Sequence, residues 1–279
     1  MIKVNNLTFQ YSNGFPVLSQ LSLEIKKGEF VALIGQNGAG KTTLLKQFNG
    51  LLKPSSGDVS INGINTKDTN TRNLARTVCY LFQNPDHQIF MPTVEKEIGF
   101  GPSNLRLSKA EVSQRVAEAA EQVGLTPYLA DNPLFLSKGQ RQRVAFASLL
   151  SMRPEVMVLD EPTTGQDYRE GIEIMEMVKK LNQQGHTIIF VTHDMELVAS
   201  YANRAIVLGQ GKILIDDTCR NVFYQPGLLK ETNLFPPQIA QLVQKFGSQQ
   251  TSFDQAVSVT EMLEKVLRMV ERETNVCCS

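Results

Sequence analysis

The residues Gly35-Gln36-Asn37-Gly38-Ala39-Gly40-Lys41-Thr42 fit the spacing G-x-x-x-x-G-K-[ST] in full. Glycines at those positions let successive backbone N–H groups converge on an anion, and a helix that starts at the end of the loop adds the positive end of its dipole. Lys41 then supplies a point charge for the outer phosphates of a triphosphate, and the Thr42 hydroxyl can ligate Mg²⁺. A second group lies far along the chain, where Val156-Met157-Val158-Leu159 runs into Asp160-Glu161. An apolar strand ending in two carboxylates can hold Mg²⁺ through the first, directly or through water, and use the second to orient and polarise an attacking water. By itself an Asp-Glu pair after a strand reads as a solvated loop. With a phosphate loop in the same chain, it reads as the second half of one site.

Groups of this kind must be held by buried strands. Phe30-Val31-Ala32-Leu33-Ile34, bounded by Gly28 and Gly35, is continuously apolar, and so are Val156–Leu159 and Thr187–Val191. Short apolar runs separated by helical stretches predict strands covered on both faces, hence an α/β fold with a parallel sheet. Ile2–Phe9 alternates loosely and Leu18–Ile25 cleanly, so the opening of the chain reads as short strands and turns. Ser108-Lys109-Ala110-Glu111 fits the S-x-x-E capping box. Val112, Val116, Ala119, Ala120 and Val123 follow, with Gly124 placed to end a helix over 109–123. Leu136-Ser137-Lys138-Gly139-Gln140 precedes another helical stretch, Arg141–Leu150. Ser137 there reads as a plain N-cap or, with the Gly139 N–H, as an anion site at a helix N-terminus. Near the end, Val259, Met262, Leu263, Val266, Leu267 and Val270 share one helical face, with Glu261, Glu264, Lys265, Arg268 and Arg272 opposite. That stripe can pack on the chain's own body or hold a second subunit.

Composition narrows the class further. A length of 279 residues allows one large domain and a small one, and 42% apolar with 20% charged residues can bury a sizeable core. Basic and acidic residues both number 28, a balance that gives no support to a protein coating nucleic acid or an acidic membrane. No apolar run approaches the ~18 residues of a membrane-spanning helix. The N-terminus has no long apolar segment of a secretory leader, so the cytoplasm is the expected compartment. Cys79, Cys219, Cys277 and Cys278 show no metal-ligand spacing, and the last pair reads as an exposed tail.

The phosphate loop, Gln83, Leu136-Ser137-Lys138-Gly139-Gln140, Asp160-Glu161, Asp167 and His193 occur in the order found in ATP-binding-cassette (ABC) ATPases, and the chain resembles that family over roughly residues 1–225. The resemblance implies a P-loop NTPase core of the ABC ATPase type, with an antiparallel β subdomain and a helical signature subdomain at about 84–150. Residues 226–279 would then be a small C-terminal domain, a candidate for dimerisation. It also implies ATP and Mg²⁺ as cofactors. Tyr11 matches the aromatic that stacks on adenine, and Gly35, Asn37, Gly38, Ala39, Gly40, Lys41, Thr42 and Thr43 match the phosphate-binding residues. Thr42, Gln83 and Asp160 match the metal-contacting set, while Glu161, His193, Lys41 and Gln83 match the catalytic positions. Ser137, Gly139 and Gln140 match the signature that closes over ATP held by another subunit, and Asp167 matches the aspartate crossing that dimer interface. Two positions depart from the pattern: Lys138 stands where glycine is common, and Gln166 where an apolar residue is usual.

The segment Phe82-Gln83-Asn84-Pro85-Asp86-His87-Gln88-Ile89-Phe90 resembles a loop of the energy-coupling-factor (ECF) importers for vitamins, cobalt or nickel. Leu229–Phe246 resembles the start of their C-terminal domain. That resemblance implies a second ATPase subunit, a transmembrane coupling protein and a substrate-binding membrane subunit as partners, no nucleic acid, and a peripheral place on the cytoplasmic face of the membrane. The stretch 84–101 would form part of a groove for coupling helices, with Phe90 and Ile98 as contacts. A conventional ABC importer or exporter ATPase is the alternative within transport. Outside it stand soluble ABC ATPases acting on DNA or ribosomes. Those acting on chromosomes insert a long heptad coiled coil between phosphate loop and signature, and this chain has no sustained heptads there. Those acting on ribosomes carry two cassettes, against a single phosphate loop here. A P-loop kinase has no reason to carry both the signature and His193.

Overall fold

The computed structural model describes residues 1–12, 14–225, 227, 232–246 and 255–277. The chain opens with an antiparallel hairpin, β1 (Ile2–Gln10) and β2 (Pro16–Ile25). β3 (Phe30–Gly35) then runs through the phosphate loop into α1 (Lys41–Phe48). β4 (Ser56–Ile61) and the short β5 (Ile64–Asn65) return to the hairpin, making an antiparallel sheet in the order β2-β1-β4-β5. After α2 (Thr71–Leu74), the strands β6 (Val78–Leu81), β7 (Val156–Asp160), β8 (Thr187–Val191), β9 (Arg204–Gly209) and β10 (Lys212–Thr218) join β3 in a second sheet. Its order is β10-β9-β3-β8-β7-β6, parallel throughout except for the β9–β10 pair.

The unbroken apolarity of β3 has a physical cause in this layering. Phe30, Ala32 and Ile34 belong to one core and Val31 and Leu33 to another, because successive side chains of a strand point to opposite faces. The second core joins the central sheet to the antiparallel sheet and α1, through Leu7, Leu18, Leu44 and Phe48. The first joins it to the helices, through Phe146, Ile174 and Val198. A strand covered on both sides has no solvent face on which to place a polar residue.

Between β6 and β7 the chain builds a helical group of α3 (Val94–Asn104), α4 (Lys109–Gln122) and α5 (Lys138–Met152), which pack on one another. The predicted capping box at Ser108 and Glu111 is present, and so is a second one at Ser137 and Gln140. In α3, Ile98 is fully buried and Phe90, just before the helix, is 62% exposed. The expectation that both line a docking groove is therefore corrected for Ile98. It is a core residue of the helical group, and Ile98→Ala should lower stability by about 2–5 kcal/mol, measured by denaturant unfolding.

Five more α-helices follow among the described residues: α6 (Tyr168–Gln183), α7 (Met195–Tyr201), α8 (Cys219–Phe223), α9 (Gln238–Phe246) and α10 (Val259–Cys277). The C-terminal segment is tied to the body. Ala240 and Val257 enter the first core, Arg220 pairs with Glu261 at 2.6 Å, and Glu196 accepts the Gln238 N–H at 2.7 Å. The apolar stripe of α10 is not used in this way. Val259, Leu263, Val266 and Leu267 remain exposed, so packing on the chain's own body does not account for them. The side chains of Val270 and Arg272, the residues 229–231 and Cys278 lie outside the described residues.

Candidate functional site

The phosphate loop bends where its glycines permit. Gly35 has φ +146° and Gly40 +101°, a region L side chains avoid. A Cβ on Gly40 would also sit 2.7 Å from Leu18 Cδ2 and 3.1 Å from the Val17 carbonyl oxygen, so β2 leaves little room for a side chain there. α1 begins at Lys41, which places the helix N-terminus at the loop. The Lys41 ammonium folds back to donate to the carbonyls of Gly35 (2.7 Å) and Gln36 (2.9 Å). Burial pushes its pKa below the ordinary lysine value, against the opposing pull of Glu161 and then Asp160.

Parallel pairing of β6, β7 and β8 beside β3 brings the carboxylates to the same edge. Asp160 is the last residue of β7, and its Oδ2 accepts the Thr42 hydroxyl at 3.1 Å and the Tyr80 hydroxyl at 2.6 Å. Glu161 follows at φ +53°, an unusual backbone for a non-glycine residue, held by its N–H donating to Val191 O at 3.0 Å. Its Oε1 lies 3.1 Å from His193 Nε2, and its Oε2 accepts the Thr164 hydroxyl at 3.4 Å. Burial raises the Glu161 pKa above the usual carboxylate range. His193 opposes that rise, Asp160 adds to it, and the Thr164 bond and Lys41 oppose it further.

These groups line one cleft of about 410 Å³, together with Asn37, Gly38, Gly40, Thr43 and Gln83. Phosphate-loop donors form one wall, and the carboxylates and His193 the facing one. Tyr11 stands beside it, half exposed, its hydroxyl 3.2 Å from that of Thr43 and its ring edge-on to Phe9. Ser137, Gly139, Gln140 and Asp167 are not among the residues lining the cleft. In this chain three of them have local roles: the Ser137 hydroxyl accepts from Gln140 N–H at 3.2 Å, and Asp167 Oδ1 caps α6 by accepting from Glu170 N–H at 2.8 Å. The two departures from the family pattern meet each other's segment. The Lys138 side chain fills the space where Gly165 lacks a Cβ, and the Gln166 carboxamide lies against Gly139. Among the described residues, neither amide atom of Gln166 has a hydrogen-bond partner, although both are buried.

Sequence reading passed over Tyr80. Its signal was a lone hydroxyl in the otherwise apolar run Val78-Cys79-Tyr80-Leu81, since a buried tyrosine hydroxyl needs an acceptor. Burial raises its pKa far above the usual phenol range, with the Asp160 charge and hydrogen bond adding to the effect.

A parallel sheet with a glycine-rich loop opening its first helix, and carboxylates at the same edge on the strand next but one, defines the class of P-loop nucleotide-binding proteins. Comparison with known proteins specifies it. The ABC transporter family model matches residues 18–164. The putative ABC transporter ATP-binding protein TTE1589 of Caldanaerobacter subterraneus subsp. tengcongensis is 47% identical over 261 residues, covering 94% of this chain and 46% of that protein. The chain thus spans about half the length of that relative. The energy-coupling factor transporter ATP-binding protein EcfA of Methanocaldococcus jannaschii is 44% identical over 246 residues, 88% of each chain. Among solved structures, cbiO1 of Clostridium perfringens, part of the ABC transporter complex cbiONQ, superposes with a TM-score of 0.74 at 34% identity, covering 87% of this chain and 98% of its own. The chain belongs to the ABC transporter ATP-binding family, with the α/β P-loop fold expected of it. Among the described residues, no helix is long and apolar enough to cross a membrane.

Proposed function

We propose that the chain is the ATP-hydrolysing subunit of an ABC transporter of the ECF importer type, with a vitamin or a transition-metal ion as cargo. The observation that carries ATP hydrolysis is the convergence of Lys41, Thr42, Gln83, Asp160, Glu161 and His193 on one cleft, and the similarity to EcfA supports the ECF type. In it, the phosphate-loop N–H groups and Lys41 bind the phosphates, the ammonium exchanging its two carbonyl partners for phosphate oxygens. Glu161, its basicity raised by burial, orients the attacking water and takes its proton. His193 lies between that carboxylate and the solvent side, placed to contact the terminal phosphate. Tyr11 offers its ring to the adenine.

The donor chemistry suits Mg²⁺. Thr42 and Asp160 present hard oxygen donors, and an ion completed by phosphate and water oxygens needs few protein groups. Thr42, Asp160 and Gln83 would hold the ion, which neutralises charge on the phosphoryl oxygens.

The place of the signature residues supports a dimer. Ser137 and Gly139 stand at a helix N-terminus, an anion-binding element, yet not on this chain's cleft. We assign them, with Gln140, to the nucleotide of a second ATPase subunit, and Asp167 to the interface between the two. The uncovered stripe of α10 in the 226–279 domain supports a further subunit contact there.

The membrane partners of an ECF importer would dock at the helical group, on the cytoplasmic face. A groove of about 610 Å³ lies between α3 and α4, lined by Met91, Gly99, Phe100 and Val112, with Phe90 edge-on to Phe100 at 4.8 Å. The carboxylate of Glu97 accepts the N–H groups of Phe90 and Met91 at 3.0 and 2.8 Å and so fixes that rim. Phe90→Ser should therefore reduce recovery of membrane subunits on the tagged chain while leaving ATP binding unchanged. Affinity purification from native membranes in mild detergent tests the whole reading. A coupling protein and a small membrane-embedded binding protein should co-purify, a conventional permease pair would overturn the ECF assignment, and soluble partners alone would overturn transport.

A further inference from the structure

Tyr80 stands in β6 three residues before Gln83, opposite Val158 in the parallel pairing with β7. It is buried, its ring tilted against Phe82 at 4.8 Å, and its hydroxyl reaches Asp160 Oδ2 at 2.6 Å. The same oxygen accepts the Thr42 hydroxyl at 3.1 Å. Three elements thus meet at one carboxylate oxygen: the first turn of α1, the end of β7, and the strand that leads into the Gln83 loop. With two hydroxyls donating to Oδ2, the carboxylate cannot rotate without breaking a short, charge-assisted bond that is itself buried.

We propose that Tyr80 is a positioning residue for the magnesium site. Its hydroxyl locks Asp160 with Oδ2 toward Thr42, which leaves Oδ1 free for a metal-bound water. Because the Thr42 hydroxyl spends its proton on Asp160, its oxygen lone pairs stay available to the ion. The same bond makes β6 and the metal carboxylate one mechanical unit, so a displacement of the Gln83 loop is felt at Asp160. This inference rests on the reading of Asp160 as a metal-site carboxylate, and the test separates the two.

Tyr80→Phe keeps the ring and its packing and removes only the donor. The readout is binding of a slowly hydrolysed ATP analogue to the purified chain, by isothermal titration calorimetry, in excess Mg²⁺ and in excess chelator. The Mg²⁺-dependent gain in affinity should fall by about tenfold, the usual cost of losing an outer-shell partner. Binding in chelator should be unchanged, which also reports that the variant is folded. Asp160→Asn alone should reduce the gain, and adding Tyr80→Phe to it should reduce it no further, because the hydroxyl acts through that carboxylate. If Asp160→Asn abolishes the gain while Tyr80→Phe leaves it intact, the Tyr80–Asp160 bond has no part in metal binding and the inference falls. If Asp160→Asn itself leaves the gain intact, the metal reading falls and carries this one with it.

Discussion

Glu161→Gln should leave ATP binding intact and slow hydrolysis by about 10²–10⁴-fold, the range associated with loss of a general base. The substitution preserves size and the ability to accept from Thr164, so the strained φ of +53° and the N–H bond to Val191 should both survive. What it removes is the charge that would take a proton from water. That charge is costly where it stands: burial raises the pKa of Glu161, with Asp160 as an adjacent like charge, while His193, Thr164 and Lys41 offset part of the effect. A carboxylate whose basicity is raised in this way is better matched to proton abstraction near neutral pH than an exposed one. With chemistry blocked and binding preserved, the variant should accumulate as an ATP-bound dimer. Phosphate release and size-exclusion chromatography with ATP check both halves, and near-normal phosphate release would remove Glu161 from the base role.

The second large effect is expected at Lys41. Its side chain is largely buried and its ammonium is held by the carbonyls of Gly35 and Gln36 at 2.7 and 2.9 Å, within the loop its own helix closes. Binding phosphate therefore demands little further desolvation of the lysine, and the carbonyls are released to the loop as the charge moves. Lys41→Ala should weaken ATP binding by roughly 10²-fold or more, since each hydrogen bond to a charged group is worth about 1.5–3 kcal/mol. Lys41→Arg should fail to restore it, because a planar guanidinium does not fit a cradle shaped for a compact ammonium. Equilibrium binding of ATP to both variants decides the matter. Affinity within threefold of the parent for Lys41→Ala would overturn the phosphate role.

Much of the fold was legible because it is local. The continuous apolar runs predicted strands at Phe30–Ile34, Val156–Leu159 and Thr187–Val191, and each appears within a residue. The helix predicted over 109–123 spans Lys109–Gln122, with its capping box as read. Both features follow from spacing of less than two helical turns, which needs no knowledge of what lies across the molecule. Ser137 illustrates the limit. The five residues 136–140 left N-cap and anion site open, and the structure shows the cap, a bond to Gln140 three positions on, while placing the segment away from this chain's own cleft.

By itself, then, the sequence determined the phosphate loop and its glycines, the strand that ends in Asp160-Glu161, and the order of motifs that marks the ABC family. Each is written in a few consecutive residues, where backbone geometry dictates residue type. Tertiary structure alone decided which faces were covered. Phe90 and Ile98 looked alike as apolar members of one stretch, yet one is exposed and the other has no exposure at all. The stripe of α10 could have packed either way, and its Val259, Leu263, Val266 and Leu267 stay exposed. Lys138 and Gln166, read as separate departures, lie against each other's glycines. Tyr80 and Asp160 stand 80 positions apart and share a hydrogen bond only because β6 and β7 run side by side. Periodicity specifies which residues share a face, whereas the partner of that face is fixed by chain crossings that no local pattern encodes.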